Sequence, residues 1–203
     1  MVPFKLGDVQ DHQGLDWQIL QNGAISLYFD QTVLDESLAW FHEHAYRIYD
    51  FECSPWKSIY DCYDVLAQGL ALTDFCTGSL DALRDCLADI DVPYAGGSVL
   101  LFRQFGGFAL KHWEFAQQLL DIIQDTSRLF SLHGYRLIAL VQLHDPKIIF
   151  ERVGACPVDL NPLERRTRFR EQLKQAQKRL AQKRTKKQYK KSVWENEDES
   201  SSH

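Results

Sequence analysis

The 203-residue chain has little of what marks a membrane protein, a secreted disulfide scaffold or an enzyme. No apolar stretch approaches the roughly 18 residues a bilayer span requires, so no transmembrane helix is predicted. The start, Met1-Val2-Pro3-Phe4-Lys5, lacks a basic stretch followed by a long apolar run, and no secretory signal is expected. The five cysteines, Cys53, Cys62, Cys76, Cys86 and Cys156, are odd in number and show no Cys-x-x-Cys spacing. They read as reduced, gap-filling thiols of a cytoplasmic protein rather than as a disulfide framework or a zinc site. No Gly-x-Ser-x-Gly elbow is present. His42-Glu43-His44 sets its two imidazoles on different helix faces, unlike His-Glu-x-x-His. Phe105-Gly106-Gly107 lacks the Lys-Ser/Thr pair of a phosphate loop and reads as a turn. No metal, no cofactor and no catalytic role are expected.

Apolar residues make up 45% of the chain and aromatics 12%, enough for one well-packed domain with extensions. The formal charge of −5 conceals an asymmetry. Residues 1–163 hold 10 Lys and Arg against 22 Asp and Glu, while residues 164–203 hold 13 against 6. A body this acidic attracts basic proteins and repels nucleic acid. The tail does the opposite.

Residues 1–23 carry Gly7, Gly14 and Gly23 and read as irregular. Ile25–Phe29 is a short strand candidate, and Thr32-x-x-Asp35 resembles a capping box for a helix through Leu34, Leu38, Phe41 and Ala45. Arg47–Cys53 alternates as a strand, and Ser58-x-x-Asp61 caps a helix with Ile59, Tyr63, Leu66 and Leu70 on one stripe. A loop at Thr73–Gly78 leads to a helix from about Ser79. Val99-Leu100-Leu101-Phe102 suits a central buried strand. A helix is predicted over His112–Arg128 and a last strand over Tyr135–Leu143. Strands alternating with helices predict an α/β fold, a small, mostly parallel sheet flanked by helices in two or three layers. The organisation read from this is a strand–helix extension over 1–46, a domain over 47–143, a proline-bearing linker over 144–163 and a basic helical tail over 164–203.

The most informative segment is Ser79–Ile90. Leu80, Leu83, Leu87 and Ile90 fall on one side of a helix, and Asp81, Asp85 and Asp89 stand four apart on the other. Like charges at this spacing destabilise a helix by roughly 0.2–0.5 kcal/mol per pair. The helix dipole favours Asp81 in the first turn, is indifferent to Asp85 and penalises Asp89. A charged face is ordinarily just solvated. A frustrated anionic ridge behind a loop is also the shape of a docking surface for a cationic cleft.

Leu80-Asp81-Ala82-Leu83-x-Asp85-Cys86-Leu87 resembles the hallmark segment of the barstar family, intracellular inhibitors of ribonucleases such as barnase in bacteria. The order of elements over 47–143 and the run Arg103-Gln104-Phe105 are similar as well. The resemblance implies a barstar-like fold and a stoichiometric inhibitor or antitoxin that covers the active-site cleft of a basic ribonuclease or related toxin. It implies that Asp85 is the central anion, that Asp81 stands beside it, and that Phe75, Thr77, Gly78 and Ser79 form the loop edge. Where the family has a tryptophan between the two aspartates, this chain has Arg84. Where the family's loop reads aromatic-Gly-x-Asn, this chain has Phe75-Cys76-Thr77-Gly78-Ser79. Carboxylates held rigidly in this way mimic the phosphates of the ribonuclease's substrate.

The tail carries Arg165, Arg166, Arg168, Arg170, Lys174, Lys178, Arg179, Lys183, Arg184, Lys186 and Lys187 beside a thin apolar stripe at Phe169, Leu173, Ala176 and Leu180. Such a helix docks on an acidic body, stays solvated, or grips RNA phosphates. The last gives the rival function, a nucleic-acid or ribosome-associated module, with Tyr189 and Trp194 available for stacking. No recognised RNA-binding motif accompanies it. No membrane partner is expected.

Overall fold

The central apolar run lies in β3 (Gly97–Arg103), beside β4 (Leu137–Gln142), and every residue of the two strands except Arg103 is buried. A strand without a solvent face needs cover on both sides. Leu100, Phe102, Leu137, Ala139 and Val141 pack into one cluster with α3 (Ile59–Gly69), α4 (Leu80–Ala88), α5 (Phe105–Lys111) and α6 (Trp113–Leu132). Val99, Leu101, Ile138 and Leu140 pack into a second with α1 (Leu15–Leu20) and α2 (Gln31–Glu43). The result is a three-layer α/β/α arrangement. This computed structural model describes residues 14–72, 78–145, 148, 150 and 152–166.

The five-stranded sheet has the order β2-β3-β4-β1-β5, with β2 spanning Tyr46–Glu52, β1 Ile25–Tyr28 and β5 Asp159–Leu160. All four pairings are parallel. Tyr49 lies opposite Leu100, Leu100 opposite Ala139, and Ala139 opposite Ile25. The amino-terminal strand–helix is thus built into the sheet, with β1 between β4 and β5. Gly97 at φ +145 begins β3 where an added Cβ would stand 2.5 Å from the Arg136 carbonyl. Only glycine fits that conformation and that gap.

Helix starts follow local chemistry. Ser58 and Asp61 form the expected reciprocal capping box of α3. The start of α2 differs from expectation. Its N-cap is Asp30, whose carboxylate accepts from the amides of Thr32 and Val33, and not Thr32. Phe105-Gly106-Gly107 is no turn but the first part of α5, and α6 begins only at Trp113 and continues to Leu132. Gly106 lets α5 close on Ile148, whose Cδ1 would lie 2.9 Å from an added Cβ. Nor are residues 15–20 irregular. Leu15 and Ile19 bury one side of α1, and buried Asp16 accepts from the Tyr46 hydroxyl at 2.6 Å and from Arg136 at 3.2 Å.

The segment expected to link domain and tail packs instead. Ile148, Phe150 and Val153 enter the first core cluster, and Phe150 stacks on Trp113 at 4.9 Å. Asp159–Leu160 adds the edge strand β5. The Glu164 carboxylate is buried and accepts from the amides of Phe29 and Asp30, just ahead of α2. By its contacts the chain divides into units of 1–164 and 165–203. In the second unit, Arg165 and Arg166 are helical and exposed.

Phe150→Ala is expected to cost about 3–5 kcal/mol, the range for emptying a buried phenyl site. A calorimetric melt with no change would return 144–163 to the status of a linker. The buried Tyr28 phenol accepts from the Asn161 side-chain amide, and burial pushes its pKa up to about 12. The unfolded chain therefore releases this proton near pH 10 while the native chain keeps it. Stability is expected to fall as pH rises from 10 towards 12. Melts across that interval should show a shallower fall in Tyr28→Phe, and equal slopes would contradict the assignment.

Candidate partner interface

The ridge rests on α4. The Ser79 hydroxyl accepts from the Ala82 amide at 3.1 Å and caps the helix. Leu83 and Leu87 are fully buried, with Ile90 close behind, and α4 packs on α6. That seating forces Asp81, Arg84, Asp85 and Asp89 into solvent, and all four are exposed. Among the described residues, none of these four side chains makes a hydrogen bond or ion pair. Arg84 is one turn from Asp81 and adjacent to Asp85 in sequence, yet it neutralises neither.

Asp81 reaches across to α3 electrostatically. The Tyr63 phenol there is raised in pKa, first by burial, then by Cys62, Tyr60 and the Asp81 charge. Tyr60, one turn away on α3, is 64% exposed. No sequence signal singled it out, since an exposed aromatic at a helix start looks like any surface residue.

Gly78 and Ser79 are exposed at the head of α4, and Gly78 takes φ +128 with open space around it. Phe75 and Thr77 lie outside the described residues, as do Arg168, Arg170, Lys174, Lys178, Arg179, Lys183, Arg184, Lys186 and Lys187. Arg103 is tied to Asp50 at 2.9 Å, Gln104 sits in the left-handed region at φ 52, and Phe105 is fully buried. That motif turns the chain from β3 into α5 and is structural. His44 stacks on Trp40 at 3.8 Å and ends α2, apart from the ridge. Among the described residues no group of three or more His, Cys, Asp or Glu is placed to hold a metal, and no helix is long and apolar enough to cross a membrane.

The cysteines require a correction. Cys53, Cys62 and Cys156 are free, but Cys86, half-buried on α4 beside Asp85, is disulfide-bonded. Pairing depends on which sulfurs the fold brings together, and spacing along the chain carried no sign of it. Cys53 and Cys62 are buried, and burial pushes both thiols well above the ordinary range.

Compared with known proteins, residues 46–142 match a family model described as Barstar (barnase inhibitor). No curated protein matches the chain.

Asp89 closes α4 as its C-cap, where the dipole disfavours an anion and Asp85 lies four residues back. Asp89→Asn is expected to stabilise the fold by a few tenths of a kcal/mol at low salt. The gain should shrink as salt screens it. A destabilised variant in urea titration would mean that Asp89 has a partner.

Proposed function

We propose, from the premise that residues 46–142 make this chain a member of the barstar family, that it inhibits a ribonuclease by filling the enzyme's cleft with the α4 ridge. The observation that carries this reading is the pair Asp81 and Asp85, exposed, based on a capped helix and without an ion-paired cation among the described residues. A ribonuclease cleft is lined with cations that hold phosphodiester oxygens. Two carboxylates on successive turns of a helix offer those cations charge-assisted hydrogen bonds in place of the substrate's. Because the helix is already formed and capped, little ordering entropy is lost on docking.

The inhibitor acts by occupancy. It needs no bond-making step, and its strength is set by how well the ridge competes with RNA for the same cations. The surplus of carboxylates over residues 1–163 supports steering, raising the encounter rate with a basic partner at low salt. Arg84 works against a wholly cationic surface. It narrows the set of ribonucleases or related toxins that the ridge accepts, favouring one with a neutral or acidic group at that point. Gly78 and Ser79 edge the contact.

The test titrates the full chain into barnase and follows RNA cleavage. Inhibition is expected to saturate at one inhibitor per enzyme. Asp85→Ala should weaken it at least 30-fold, about 2 kcal/mol, the threshold for an interface hot spot, of which the barnase–barstar pair is itself a reference case. Its melting temperature should not fall, because Asp85 has no partner among the described residues. Glu36→Ala, on the exposed side of α2, should behave as wild type. Equal inhibition by Asp85→Ala and wild type would overturn the assignment.

A further inference from the structure

Two aromatic side chains of the described residues stand largely in solvent, Tyr60 and Tyr94. Tyr94 leans edge-on against Tyr135 at 6.4 Å. Tyr60 has no such support. Among the described residues its ring meets no other ring and its hydroxyl makes no hydrogen bond. A phenol ring left in water forgoes the burial that ordinarily accounts for an aromatic side chain.

The backbone beneath it is firmly held. Tyr60 occupies the first turn of α3, where Ser58 and Asp61 close the capping box. The Asp61 carboxylate also accepts from the Lys57 amide at 2.7 Å. The Lys57 carbonyl in turn accepts from His112 Nε2 at 3.1 Å, which ties this turn to the start of α6. A ring on two rotatable bonds above a fixed base loses little freedom when it is gripped.

The surroundings are anionic. Lys57 stands beside Asp61 and offsets it. Asp64 lies one turn along the same side of α3 from Tyr60, exposed and without an ion pair among the described residues. Tyr63 packs edge-on against Phe115 of α6 at 5.3 Å, and α6 is also the helix on which α4 rests. Asp81 is close enough for its charge to act on the Tyr63 phenol. Tyr60 therefore adjoins the head of the ridge.

We propose that Tyr60 is an aromatic anchor of the partner surface, its ring receiving an arginine or lysine from the rim of the ribonuclease cleft beside Asp81. The source of that cation rests on the inhibitory reading above. The face of a phenol ring is negative and attracts a cation laid over it. An apolar partner would have to strip water from Asp64 and Asp81 without compensating them. A second copy of this chain, or RNA, would bring further negative charge against the same carboxylates. A cation satisfies the ring and the carboxylates together.

The test measures the full chain and its variants against a fluorescein-labelled hepta-arginine peptide by anisotropy, with barnase inhibition in parallel. Tyr60→Ala is expected to weaken both by about fivefold or more, in the range of a cation–π contact. Tyr60→Phe keeps the ring and should stay within about twofold of wild type. Tyr94→Ala should bind like wild type, and Tyr60→Ala should melt like it. Equal peptide binding by Tyr60→Ala and wild type overturns the proposal. If Asp85→Ala is still impaired on barnase, that result leaves the inhibitor reading intact. A Tyr60-dependent peptide affinity in a chain that leaves barnase active would overturn the inhibitor reading and keep the cation-receiving ring. Loss of binding to a labelled oligouridine alone in Tyr60→Ala would assign the ring to base stacking and overturn the proposal.

Discussion

Leu83 and Leu87 are the two side chains of α4 that lose all contact with water, and their seating decides where the helix's charges point. Burying each contributes about 1.5–3 kcal/mol. The repulsion along Asp81, Asp85 and Asp89 costs only roughly 0.2–0.5 kcal/mol per pair. Burial wins by a wide margin, so the helix forms with its anions aligned and cannot rotate to separate them. The ridge is therefore a consequence of core packing. Replacing either leucine by a polar residue would disperse the carboxylates before it altered a single charge.

That seating is firm because of what lies beneath it. α4 packs on α6, α6 packs on the sheet, and the central strands of the sheet are covered on both faces. The aromatic side chains Phe102, Phe105, Phe108 and Trp56 interlock at ring separations of 5.2 to 6.5 Å under the same layer. The amino-terminal strand adds β1 to the sheet, and Glu164 satisfies the amides ahead of α2. These additions lie on the far side of β4 from β2 and leave the ridge open.

Much of this was legible where a signal is local. Ser58 and Asp61 announce α3 from four neighbouring residues, Ser79 announces α4, and the unbroken run Val99–Phe102 announces a strand with no wet face. The outward placement of Asp81 and Asp85 followed from the leucine spacing alone. What escaped reading depends on distant partners. α1 is too short to show a period, and Asp16 looks like a surface acid until Tyr46 and Arg136 are brought to it. Ile148, Phe150 and Val153 are scattered among prolines and charges, and only the groove beside α5 and α6 makes them core. Glycines 106 and 107 disguise a helix as a turn, and close packing against Ile148 explains the first of them, while Gly107 faces open space.

Inhibition as proposed requires that α4 and its preceding residues be the surface that meets the enzyme. The most direct measurement is an amide-exchange footprint of the full chain, free and saturated with barnase. Protection is expected to concentrate at residues 78–90, with the outer side of α2 unaffected. Protection centred on α2 or on residues 165–203, with 78–90 unchanged, would contradict it.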